Sequence, residues 1–305
     1  TRLTIKQKPK PKKTKLFLSV FQHIDMGTRA AGALTAAALR RPILIGRFPS
    51  LAWRLSKATL WPKRKAELVR EIGSSTPLYK DFPITMRMVV EEGWNVAGDT
   101  SAFRREVMLG IEEATKEIPA SMIGKAIERV RQITRFWESQ LFDGVYRETQ
   151  QHTLQHFIIH RLRQLHPTWT PRQVAGQAAN EVNIMFSTVD TWQSVFASPG
   201  MRALVRGLVF SPAESESWIR GAIRGVHGTN AQLWRDYWLG LFVWLAGVAN
   251  VINVATEGKP MPVSAYMPFK LQGGIGYNTE FLSPVLPWTG RGGAKLYLDV
   301  VGQAD

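Results

Sequence analysis

His152, His156 and His160 stand four residues apart, with Glu148 one turn ahead of them. On a helix this spacing puts all four side chains on one face, and an i, i+4 histidine pair can hold a metal ion. Three successive turns, however, spread the imidazoles over too great a length for one ion, and no Glu-x-x-His or HExxH context surrounds them. A polar stripe inside a helical bundle is the better reading. Such a stripe could answer to pH, because imidazole charges at about pH 6.5. The chain has no cysteine, which excludes disulfides, thiolate zinc sites and thiol nucleophiles together. It has no GxSxG and no Walker A loop, and Gly273-Gly274-Ile275-Gly276 is not framed by a strand and a helix. Paired carboxylates such as Glu91-Glu92 and Glu112-Glu113 read as solvated helix faces. No catalytic residue, metal or cofactor is expected.

Charge is the sharper signal. Through Lys65 there are 16 Lys and Arg against one acid, Asp25, and the remainder balances at 23 of each sign. The whole excess of +15 therefore sits in the first fifth of the chain. Such asymmetry points to a polyanion, either nucleic acid or an anionic membrane surface. The Lys- and Pro-rich arm, residues 1–15, lacks apolar periodicity; it is a solvated linker or a phosphate-neutralising element. In the second reading Lys6, Lys8, Lys10, Lys12, Lys13 and Lys15, with Arg40 and Arg41, contact DNA phosphate.

The elements that must position these residues are mostly helices. Leu16–Ile24 reads as a short amphipathic helix, broken at Asp25-Met26-Gly27-Thr28. Arg29–Leu39 follows, rich in small residues that would let a neighbouring backbone come close. From Ile43 to Lys65, Trp53 and Trp61 interleave with bases, which suits an interfacial element on lipid, a nucleic-acid contact or a solvated basic face. Short helices follow to Gly98, then an amphipathic helix over Ser101–Glu117. The longest periodic segment, 120–165, would reach roughly 70 Å as a helix. Its apolar seam has a polar middle at Gly144, Glu148, Gln151 and Gln155, with Gly144 expected as a kink. Thr170-Pro171, Ser198-Pro199 and Ser211-Pro212 each place a capping hydroxyl before a proline, opening helices over Pro171–Ala197, Pro199–Phe210 and Pro212–Val226.

Tyr237–Thr256 holds twenty residues with no Asp, Glu, Lys or Arg, enough to cross a bilayer core of about 30 Å. Asn250 and Asn253 would need partners there. Two readings stand: a membrane-inserting helix and a buried core helix. The residues expected at membrane or subunit contact are Trp234, Tyr237, Trp238, Phe242, Trp244, Leu245 and Val248; in the second reading the protein's own domain buries the helix. Beyond Glu257, prolines and glycines exclude long helices, and only Lys295–Val301 could be a strand. The expected fold is mainly α: an elongated multi-helix bundle with a basic arm (1–15), a helical body (16–256) and an extended, largely irregular Pro/Gly-rich tail (257–305). The chain begins at Thr1 with no signal peptide, as a processed product or part of something longer would.

Three stretches carry a resemblance. Gly276–Asp305, GYNTEFLSPVLPWTGRGGAKLYLDVVGQAD, resembles the "N-x-x-F-L-S-P…GRGG…LDL-x-GQ-D" block of large tailed-phage internal virion proteins, also described as ejection or polyvalent proteins. Asn278, Phe281, Ser283, Pro284, Gly290-Arg291-Gly292-Gly293, Asp299, Gly302 and Gln303 recur in order. Gln22–Pro42 and Val205–Ile223 resemble two earlier segments of the same proteins more loosely, and Arg29-Ala30-Ala31 departs from their wording. The resemblance implies a non-enzymatic protein of the virion interior, ejected into the host cell envelope. Its partners would be non-specific double-stranded DNA, other virion proteins near the portal, the host membrane and further copies of itself. The alternative is a membrane-active or peripheral membrane protein that binds anionic lipid through its basic N-terminal part. An enzyme built on the histidine stripe would require stoichiometric metal.

Overall fold

The computed structural model describes residues 14–96, 139–188, 212–260, 269–271 and 275–277. Within them the chain is mainly helical. Eight helices follow in order: α1 (Thr14–Arg40), α2 (Phe48–Leu60), α3 (Pro62–Ile72), α4 (Met86–Glu91), α5 (139–165), α6 (Pro171–Met185), α7 (Pro212–Val226) and α8 (Ala231–Glu257). A 3-10 turn, Pro42–Arg47, links α1 to α2. Two three-residue strands, β1 (Phe269–Leu271) and β2 (Ile275–Tyr277), pair antiparallel, outside the one stretch, Lys295–Val301, expected as a strand. The segments Ser101–Glu117, 120–138, Pro199–Phe210 and Lys295–Val301 lie outside the described residues, as do most of the arm and tail.

The central contact is α1 along α8. Small residues make it possible. A side chain at Gly240 would come within 2.4 Å of the Ala36 amide nitrogen, and one at Gly32 within 2.8 Å of the Leu241 side chain. With Arg40 paired to Asp236 near the other end, the two helices run in opposite directions. The break expected at Asp25–Thr28 does not occur: α1 is one helix of 27 residues. Gly27 lowers helix propensity by about 1 kcal/mol. Burial of Met26, Ala30, Ala33 and Leu34 on the same element outweighs that loss.

α5 alternates α turns with two π-helical stretches, Ser139–Tyr146 and Leu154–Ile158. Gly144, expected as a kink, lies in the first of these. A side chain there would come within 2.2 Å of the Ala58 carbonyl oxygen, so its absence admits α2 against α5. Thr170 caps α6 in a reciprocal box with Gln173. That helix stops at Met185, short of the expected Ala197, because Ser187 takes a left-handed φ of 58° and the Thr188 amide turns back to the Asn183 carbonyl. α7 keeps its expected bounds.

Candidate functional site

The polar middle of the α5 seam is buried, and it gathers charge from two other helices. Glu148 is 0% exposed. Its carboxylate accepts from Arg54 Nε on α2 and from Arg64 Nε and Nη2 on α3, the latter two at 3.0 and 2.8 Å. Arg64 also donates to Glu71 at 2.6 Å, and Gln151 Nε2 donates to the same carboxylate at 2.7 Å. Burial pushes the Arg64 guanidinium down, but hydrogen bonds and charge from Glu71 and Glu148 outweigh it and hold the group above its ordinary value. Burial likewise pushes Glu71 up, and the hydrogen bonds from Arg64 and Gln151 bring it below the usual carboxylate range. Arg64 also reaches Glu67 at 3.5 Å, so three carboxylates face two guanidinium groups, and the cluster ties α2, α3 and α5 together.

A cavity of about 300 Å³ opens beside this cluster, lined by Arg54, Glu71, Ser74, Thr76, Gln151 and Gln155 among others. Its two charged groups are both engaged in the ion network.

The histidines continue the stripe, as the spacing predicts. The His152 and His156 rings lie 4.3 Å apart, and neither ring nitrogen of His152 has a hydrogen-bond partner among the described residues. Burial, the neighbouring His156, and Arg54 and Arg47 push His152 down to about 2. Burial and Arg47, Arg54 and Arg41 push His156 down to about 4, and burial with Arg41, Arg163 and Arg161 does the same to His160. All three are neutral imidazoles at neutral pH. Among the described residues no group of three or more His, Asp or Glu side chains is arranged to hold a metal ion.

The cationic N-terminal stretch divides sharply in three dimensions. Residues 26–65 carry nine bases and no acid. Arg29, Arg40, Arg41, Arg54 and Arg64 among them are engaged by groups elsewhere in the chain. Arg29 donates to the Met185 carbonyl at 2.6 Å and lies 4.4 Å above the Trp218 ring. Arg40 pairs with Asp236 at 2.8 Å, where Arg161 joins it at 2.6 Å. Arg41 donates to the His156 carbonyl at 2.6 Å, and Arg54 and Arg64 belong to the Glu148 cluster. Arg40 and Arg41, expected at DNA phosphate, are therefore engaged within the chain. Sequence spacing could not reveal this, since Asp236 and His156 are more than a hundred residues away. Lys6, Lys8, Lys10, Lys12 and Lys13 lie outside the described residues; Lys15 lies on α1, its side chain outside them.

The uncharged run puts one face, with Tyr237, Leu241 and Leu245, into the core and leaves Leu239, Val243, Val251 and Val254 exposed. Trp234, Tyr237 and Leu245 are buried, and Trp234 Nε1 donates to the fully buried Glu181 at 2.7 Å. Asn230, Arg224 and Gln177 also bind that carboxylate, so α6, α7 and α8 share it. Trp238, Trp244 and Val248 are half-buried, Trp244 stacking on Phe48 at 5.4 Å. Phe242 is exposed. No helix among the described residues is long and apolar enough to cross a membrane. Neither the Glu148 cluster nor the Glu181 cluster is announced in the sequence, beyond an acid at an apolar seam position. The chain matches no family model, no curated protein and no solved structure.

Proposed function

We propose that this chain is a non-enzymatic internal virion protein of the tailed-phage ejection type. It contacts packaged DNA without sequence preference, sits with other virion proteins near the portal, and works as a homo-oligomer at the host envelope after ejection. In this reading an elongated helical bundle carries a basic arm at one end and a Pro/Gly-rich tail that lies on a neighbouring surface. One observation carries it: Arg40, Arg54 and Arg64 meet acids within the body, while the seven bases of residues 1–15 meet no acid in their own stretch. The closed Glu148 cluster supports a structural rather than a catalytic use of buried charge.

The arm's task is then phosphate neutralisation, which is sequence-independent and driven by counterion release. Anisotropy of a labelled random duplex with the full chain tests it. Affinity should fall steeply with salt, at a slope of about −0.9 per phosphate neutralised, and should be lost on deleting residues 1–15. Salt-insensitive binding, or binding that survives the deletion, rejects the reading.

A further inference from the structure

The outer face of α2 and the residue that follows it form an exposed apolar surface with cations set into it. Trp53, Lys57 and Leu60 recur at spacings of four and three, so they share one helix face, opposite the buried Leu51 and Ala58. Trp53 is 56% exposed, Leu60 68% and Trp61 49%. The two indoles meet edge to face at 5.8 Å, and Lys57 Nζ lies over both rings, at 4.8 and 5.4 Å from their centroids. Lys63 follows on the first turn of α3. At the other end of α2 the 3-10 turn leaves Ile43 87% and Ile45 62% exposed, just before Arg47. Among the described residues Arg47, Lys57 and Lys63 have no acidic partner, and the sequence from Met26 to Ala66 supplies none.

We infer that this face docks on the surface of an anionic lipid bilayer. Indoles favour the boundary between headgroups and acyl chains, where the ring is buried and its edge stays wet. A lysine lying along them keeps its stem in the apolar layer and its ammonium among lipid phosphates. Leu60, Ile43 and Ile45 supply aliphatic surface that a nucleic acid has no use for, while three unpaired cations suit anionic headgroups better than an apolar protein partner. The helix lies in the interface and does not cross it. The inference stands on this face alone, independently of the virion reading and of the arm.

The absence of cysteine makes a direct test available. Leu60→Cys and, as a remote exposed control, Ser75→Cys are labelled in the full chain with an environment-sensitive fluorophore. Both are mixed with phosphatidylcholine vesicles with and without phosphatidylglycerol at physiological salt, in the wild-type chain and in one with Lys6, Lys8, Lys10, Lys12, Lys13 and Lys15 changed to Gln to remove the arm's charge. The label at position 60 should blue-shift and be quenched by a nitroxide lipid only on anionic vesicles, while the label at position 75 stays silent. Trp53→Gln with Trp61→Gln should weaken co-sedimentation at least about tenfold with an unchanged circular-dichroism melt. A silent label at position 60 on sedimented protein assigns binding to another part of the chain and overturns the inference. So does equal response to uncharged vesicles, a response to duplex DNA instead, or a dilution-dependent shift without lipid, which would mark a self-association face. Loss of arm-dependent DNA binding would leave these readouts unmoved.

Discussion

Glu148 takes its carboxylate into a place that solvent does not reach, with the buried Arg64 and the partly exposed Arg54 against it. Removing one partner of such a cluster leaves the others buried and uncompensated, which costs about 3–5 kcal/mol. Glu148→Ala should therefore lower stability by roughly that amount in urea titrations. Arg87→Ala, which removes an exposed i, i+4 pair with Glu91, should change it by less than about 0.5 kcal/mol. His152 offers the opposite case, a buried polar ring with no hydrogen bond. Its folded value of about 2, and that of His156 at about 4, lie below the ordinary 6.5. The unfolded chain thus binds the protons first on acidification. The stability these neutral rings allow is complete above about pH 6.5 and falls as pH drops from there toward 4 and 2. His152→Leu should flatten the fall between pH 6.5 and 4 without loss of stability at pH 7, read by denaturant midpoints across pH; a steeper fall would contradict the assignment.

At the scale of elements, the α1–α8 contact rests on positions that have no side chain. Gly240→Val would drive a branched side chain into the backbone of α1 at Gly32 and Ala36. Overpacking of this kind costs about 1–3 kcal/mol, and a backbone obstacle puts the expected loss in thermal stability at the upper end. α8 gives a paired comparison within one helix. Leu245→Arg places a charge on the buried face and should unfold the chain or lower its melting temperature sharply, whereas Val251→Arg, 69% exposed, should be tolerated. Equal tolerance of both would remove α8 from the core. The small-residue pattern of Arg29–Leu39 made close approach legible in the sequence. The continuity of α1 through Gly27 was not, because local propensity is a weak term beside the burial of a whole helix face.

For the molecule as a whole, the net charge of +15 describes two different things. Part of it is internal wiring: Arg29, Arg40, Arg41, Arg54 and Arg64 hold helices together across long stretches of sequence. In the proposed function the arm meets DNA phosphate, while Arg47, Lys57 and Lys63, without an acidic partner among the described residues, meet lipid headgroups. Arg40→Gln and Arg41→Gln should lower the melting temperature and leave DNA affinity within about twofold. Lys12→Gln with Lys13→Gln should leave the melt unchanged and reduce the log-log salt slope by about 2. The reverse pattern would place the phosphate contacts on the body.

Helical class, the capped start at Thr170, the helix bounds Pro212–Val226, the buried polar stripe along α5 and the crowding of cations into the first fifth were determined by the sequence alone. Each depends on periodicity, on capping chemistry or on composition, which are properties of neighbours along the chain. The fate of each cation was decided only by tertiary structure, as was the apolar run's role as a core face. Both depend on which distant residue arrives opposite. Asp236 opposite Arg40, Glu148 between Arg54 and Arg64, and Glu181 beneath Trp234 are pairings across 53 to 196 residues. Electrostatic partners at such separations are selected by packing, and no local pattern encodes them.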